Sequence, residues 1–323
     1  YEKVESFDEL GKIEKNLDFL KGTEKLLNSI QKEREITINQ ILFKNQKELL
    51  EKQRTKTNEI NDDLEKTVFT LDKSFTKIRF EIEKLELLRN KIDSSTLSLY
   101  EIIDRYDDYT KLLIDSLSML KPVKLAFDFN SDFRNIIHFL SFKEATYLEK
   151  SLINILLTQK NFDEKFYSML LKNYSIQETN KNYFFNSNNL EIVQSYNSKL
   201  QEEYHNKLYL IRTNVKNRHF SHIGTTFEEW ENLSAQNIDS LIKIYNNLVM
   251  FVEVEAKKFE NEAEIKKHQS LTFLVVCFAT LISLLFVISR TSNFKEEILS
   301  CFSVSGTYDK SIKFLANKNA KIL

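Results

Sequence analysis

Residues 227–289 read FEEWENLSAQNIDSLIKIYNNLVMFVEVEAKKFENEAEIKKHQSLTFLVVCFATLISLLFVIS, and after Gly224 neither glycine nor proline recurs until Gly306. Ile238, Leu241, Tyr245, Leu248 and Val252 return at steps of three and four, which is the apolar seam of a coiled coil or helical bundle. The simplest reading is one helix from about Phe227 through Ser289. Its last part, Leu271 to Ser289, is 19 residues without a charge. At 1.5 Å per residue that length approaches the ~30 Å hydrocarbon thickness of a bilayer, so a spanning helix fits at 270–289.

Working outward, the same chemistry holds for the rest of the chain. The 323 residues include 4 Gly and 1 Pro, where average usage supplies roughly 7% Gly and 5% Pro. Such a chain lacks the turn residues of a sheet-rich fold and the glycine loop of a Rossmann or phosphate-binding enzyme. With 42% hydrophobic residues and 25 Phe it is rich enough to form a core, so disorder is excluded too. The expected class is all-α.

A net charge of −1 argues against nucleic-acid binding. Cys277 and Cys301 build no disulfide framework or Cys-x-x-Cys site. No catalytic constellation or cofactor motif stands out, so no enzyme is expected. His219 and His222, with His205 nearby, are too sparse a set to carry a metal reading.

Residues 1–121 read as nearly continuous helix, broken mainly at Gly11, Gly22 and the polar stretch Asn58 to Asp63. Pro122 sets a boundary near Lys121. Beyond it, helix is expected over about Asp132 to Tyr174, a loop over Asn180 to Asn189, helix over about Glu191 to Arg218 and a loop at Gly224. The expected organisation is a helical region 1–269 in halves of about 1–121 and 122–269, the span 270–289, and a tail 290–323. Glu33-Arg34-Glu35-Ile36 is weakly echoed by Glu149-Lys150-Ser151-Leu152, as two related bundles would show. The chain opens at Tyr1 and the tail is short, so a longer product is expected, with a further anchor or output domain. Four lysines lie within twenty residues before the span, and Arg290 and Lys295 within twenty after. That count does not orient a long domain.

The functional signal lies in Leu27 to Phe43. On a helical wheel Leu27, Ile30, Ile38, Ile41 and Leu42 form one stripe, with Arg34 in its middle and Gln31 and Thr37 beside it. A guanidinium on an apolar face requires an anion. Either an internal carboxylate, such as Glu144 or Glu149, or a small planar oxyanion from outside satisfies it; Gln31 and Thr37 add neutral donors. Arg212 and Arg218 flank the stripe Tyr204, Leu208, Ile211 and Val215, and read as surface arginines with packed stems. Lys150 sits on a helix apolar round most of its circumference.

These residues carry a resemblance. The stretch LNSIQKEREITINQIL (Leu27 to Leu42) resembles the first motif of the nitrate- and nitrite-sensing (NIT) domain family, with Gln31, Glu33, Arg34 and Thr37 at the motif's positions. FLSFKEATYLEKSLINILLTQKNFDEKF (Phe139 to Phe166) is similar to the second motif. The segment Trp230 to Val252, beginning WENLSAQNIDSLIKIYNNLV, resembles the helix that precedes the family's membrane span. Two positions depart from the pattern: Glu35 replaces a glycine, and Lys150 an arginine. The resemblance implies an all-helical sensor region of two antiparallel bundles outside a bacterial cytoplasmic membrane, followed by one membrane helix. It also implies nitrate or nitrite as ligand, bound through Arg34, Lys150 and Arg212, with Arg218 the alternative to Arg212. Output would pass through a partner or a further domain, and the seam at Ile238 to Val252 suggests a homodimer. The rival reading is a membrane-anchored helical scaffold that binds no small molecule.

Overall fold

The computed structural model of the chain describes residues 2–69, 76–120, 127–159, 163–186, 193–194, 196–198, 203–220 and 223–319, and among these no strand occurs. The long helices are α1 (Glu2–Phe43), α2 (Lys47–Phe69), α3 (Thr76–Asp93), α4 (Leu99–Leu117), α5 (Phe127–Thr158), α6 (Glu164–Phe185), α7 (Glu203–Lys216) and α8 (Phe227–Asn319). The all-α expectation holds, and α8 covers the whole stretch expected to be one helix. The chain forms two compact units, residues 1–260 and 261–323.

Several expected breaks fall elsewhere. Gly11 and Gly22 lie inside α1 and Asn58 to Asp63 inside α2. Gly22 is there for close approach: a Cβ on it would meet Leu64 Cδ1 of α2 at 2.8 Å. The chain turns instead at Lys44 and Ser95, non-glycine residues with φ of 58° and 54°. α4 then starts from a reciprocal cap, in which Ser98 Oγ accepts from the Glu101 N–H while the Glu101 carboxylate accepts from the Ser98 N–H. The helix expected over Asp132 to Tyr174 is interrupted: α5 ends at Thr158, and Asp163 caps α6 by accepting from the Lys165 N–H. The loop expected from Asn180 begins later, because α6 runs to Phe185. Of the helix expected over Glu191 to Arg218, α7 covers Glu203–Lys216. The boundary at Lys121 and Pro122 lies outside the described residues.

The first unit holds two apolar clusters. One gathers Ile13 to Ile30 of α1, Phe133 to Phe142 of α5 and Leu241 to Ala256 of α8, with Leu85, Leu88, Tyr106 and Leu113 from α3 and α4. The other gathers Ile38, Ile103, Leu148 to Leu156, Leu170, Leu208, Ile211 and Trp230. Each cluster draws on residues from both sides of Pro122. On α1 the clusters are separated by Gln31 to Thr37, and on α5 by Lys143 to Tyr147. A buried polar layer therefore cuts across the long helices between two greasy zones. The seam Ile238, Leu241, Tyr245, Leu248 and Val252 is buried within this chain's own packing.

In the second unit the character reverses. The stretch from Leu271 to Ile288 exposes its large apolar side chains, Phe273 at 71% among them. Among the described residues one helix is long and apolar enough to cross a membrane, by length and composition.

Candidate functional site

The polar layer is built on α5, whose residues Lys143 to Lys150 reach five other helices. Lys143 Nζ donates to Glu24 (2.7 Å) and Asn28 (2.8 Å) of α1. Burial pulls the Lys143 ammonium below its usual pKa despite the pull of Glu24. Glu144 accepts from Arg34 Nη1 (2.6 Å), from Gln31 Nε2 and from Thr110 Oγ1 (2.9 Å) on α4. The Ala145 carbonyl accepts from Asn173 and Gln177 of α6. Glu149 accepts from Arg212 Nε (2.7 Å) and Nη2 (2.6 Å) on α7 and from Gln177. Lys150 pairs with Glu35 of α1 (2.7 Å) and Glu231 of α8 (3.0 Å).

Arg34 is 0% exposed. Glu144 takes only its Nη1; Nε and Nη2 are buried and have no hydrogen-bond partner. Those two donors form one edge of the guanidinium fork. Elsewhere in the layer that edge is filled. Arg89 of α3 presents Nε and Nη2 to Glu33 at 2.8 and 2.7 Å, and Arg212 presents the same pair to Glu149. An unpaired buried donor costs about 1–3 kcal/mol. Chemically, the Nε–Nη2 edge of Arg34 suits a planar anion with two oxygens on one atom, as the carboxylates on Arg89 and Arg212 demonstrate.

Acids surround this end of the layer as well. Asp107 of α4 also faces this end of the layer, and its carboxyl is pushed up to about 6 by burial and by the charge of Glu144, against the opposing pull of Arg34 and Lys172. Burial and the neighbouring acids Glu35 and Glu144 hold the Tyr147 hydroxyl protonated far above neutral pH. Beyond Glu33, Tyr106 donates to its carboxylate at 3.0 Å and lies 3.3 Å from the Thr37 hydroxyl.

The other residues picked from sequence have carboxylate or hydroxyl partners. Gln31 spends its amide donor on Glu144, and its unpaired atom is the acceptor Oε1, which does not serve an anion. Thr37 is fully buried beside Tyr106. Lys150 lies between two acids that raise its pKa in spite of burial. Arg212, 27% exposed, has its fork closed by Glu149, while Arg218 sits at the surface on Glu164 and over the Tyr167 ring. Gln31, Arg34, Lys150 and Arg212 are thus drawn to one polar layer, and Arg218 is not. His222 lies outside the described residues; among those described, no group of three or more His, Cys, Asp or Glu could hold a metal.

Sequence reasoning missed Arg89, Lys143, Tyr106 and Glu231. For two of them the signal was present. Arg89 shares a stripe with Leu85, Leu88 and Ile92, and Lys143 one with Phe139 and Leu140, so each is a cation on an apolar face like Arg34. Glu231 and Tyr106 carried no comparable mark.

A family described as nitrate and nitrite sensing matches residues 25–250 of the chain. Among solved structures the fold is similar to that of the NasR transcription antiterminator, at 10% identity, with 80% of each chain covered and a TM-score of 0.57. No curated protein matches.

Proposed function

Because the chain belongs to the NIT family of nitrate- and nitrite-sensing domains, we propose that it is a membrane-anchored receptor whose anion is taken by the Nε–Nη2 edge of Arg34. The observation that carries this reading is that edge itself, fully buried and unpartnered while the equivalent edges of Arg89 and Arg212 hold carboxylates. Nitrate and nitrite each offer two oxygens on one planar atom, so either completes the fork with charge-assisted bonds and relieves two orphaned donors. Glu144 keeps Nη1 throughout and, held by Gln31 and Thr110, fixes the plane of the guanidinium.

In this reading residues 270–289 span the cytoplasmic membrane of a bacterium, the first 269 residues lie outside it, and α8 conveys the bound state to an output partner or domain. The protein acts as a sensor and catalyses no reaction. Homodimerisation, also part of the reading, falls to exposed positions of α8 such as Met250 and Val254, since the expected seam is consumed inside the chain.

The test is thermal unfolding of the full chain in nanodiscs with sodium nitrate, nitrite or chloride. At a hundredfold excess over Kd the wild type gains about 2.7 kcal/mol from nitrate or nitrite and none specific to chloride. Arg34→Lys keeps the charge but loses the fork, so the nitrate-specific shift disappears while the protein stays folded. A full nitrate shift in that variant refutes the site.

A further inference from the structure

Lys150 holds an unusual position. Its single ammonium lies 2.7 Å from Glu35 of α1 and 3.0 Å from Glu231 of α8, so one buried cation joins two helices that both reach the anion level. Glu35 holds a second cation on its own helix, Lys32 at 2.9 Å, through its other carboxylate oxygen. Together the two lysines hold the Glu35 carboxyl below the usual carboxylate range even though burial alone would push it up. The α8 side is equally tied: Trp230 Nε1 donates to the Lys150 carbonyl at 3.2 Å, and Asn154 donates to Glu231.

Glu35 directly follows Arg34 in a helix, so the two cannot move independently. Any turn or slide of that part of α1 on anion binding therefore moves Glu35 as well. Because Glu35 bonds Lys32 through one oxygen and Lys150 through the other, such a movement strains or releases the Lys150 bond and with it the hold of Lys150 on Glu231. One ammonium shared by acids of two helices is a physical link through which α1 can bias α8.

We propose that Lys150 is a positioning residue that couples α1 to α8 through Glu35 and Glu231, and that it does not touch the anion. The inference rests on the anion reading of Arg34. Trp230 reports it directly, being the one tryptophan of the chain, 1% exposed and bonded to the Lys150 backbone.

The experiment measures nitrate affinity by calorimetry and Trp230 fluorescence lifetime by titration, on the full chain in nanodiscs, for wild type, Lys150→Met and Glu231→Gln. Glu231 is partly exposed, so its variant tests the link with least risk to folding. The wild type is expected to bind nitrate and to change its Trp230 lifetime with the same midpoint. Both variants are expected to keep Kd within threefold while the lifetime response falls at least tenfold. A tenfold or greater loss of affinity in Lys150→Met, or a wild-type lifetime response in both variants, overturns the coupling role and leaves the anion site standing. Absence of nitrate binding in the wild type overturns the anion reading and the coupling with it.

Discussion

On α5, five residues apart, Glu144 and Glu149 each meet a guanidinium. Glu149 takes both Nε and Nη2 of Arg212 and is held by Gln177 as well. Glu144 takes only Nη1 of Arg34 and accepts from Gln31 and Thr110 besides. The first pair is complete and resembles a structural tie between α5 and α7. The second leaves the edge best shaped for a planar oxyanion unfilled in a fully buried place. Burial of an arginine therefore does not mark a receptor by itself. What matters is which donors its nearest acid leaves unused.

The largest way to break this contrast is Arg212→Ala. It strands Glu149, 1% exposed, without its cation, and should lower unfolding stability in urea by about 3–5 kcal/mol. The nitrate-specific thermal shift should survive. Loss of the shift with little loss of stability would exchange the roles of the two arginines.

A smaller effect tests the Arg34 end. Asp107 has a folded-state pKa of about 6 against an ordinary 3.8, so between those values the folded chain holds its proton more tightly than the unfolded one. Its contribution is fully present below pH 3.8 and is lost as the pH rises through 6. Asp107→Asn should therefore be more stable than wild type at pH 8, by about 1–3 kcal/mol, with the gain gone at pH 3.5. Chemical unfolding at the two pH values reads it. A nitrate titration over the same range should show wild-type affinity rising below pH 6, as the repulsion from Asp107 is neutralised.

Least of all is expected from Arg218→Ala. Its partner Glu164 and its own side chain are both more than half exposed, so water screens the pair. Unfolding midpoint and nitrate shift should match wild type, which would set Arg218 apart from Arg34 and Arg212; a lost nitrate shift would move the anion site to the turn after α7.

How much of the site was readable in advance can be judged residue by residue. Arg34 stood in the middle of an apolar stripe, and the fold buries Leu27, Ile30, Arg34 and Ile38 of it while Ile41 stays 37% exposed. Its acid was also among the candidates, since Glu144 and Glu149 were both named as partners. No sequence pattern could say that Glu144 would divide its three bonds among Arg34, Gln31 and Thr110 while Glu149 gave two of its three to one guanidinium. That depends on α4 bringing Thr110 and α6 bringing Gln177 to the layer, contacts across dozens of residues. The helix breaks were misplaced for a related reason. Gly22 looks like a stop in isolation, yet its missing side chain is what lets Leu64 pack against α1.

From composition and periodicity alone, this chain had to be helical, with an uncharged segment long enough to cross a bilayer and a cation on an oily face that demanded an anion. These follow from backbone geometry and the cost of burying charge, which act within a few turns of helix. Which anion each cation meets was decided by tertiary packing. The two apolar clusters interleave both halves of the sequence and force the charged turns of α1 and α5 into one layer. Only there do the Arg34 donors go unmatched and Lys150 find two acids, because hydrogen-bond partners are assigned by proximity in space.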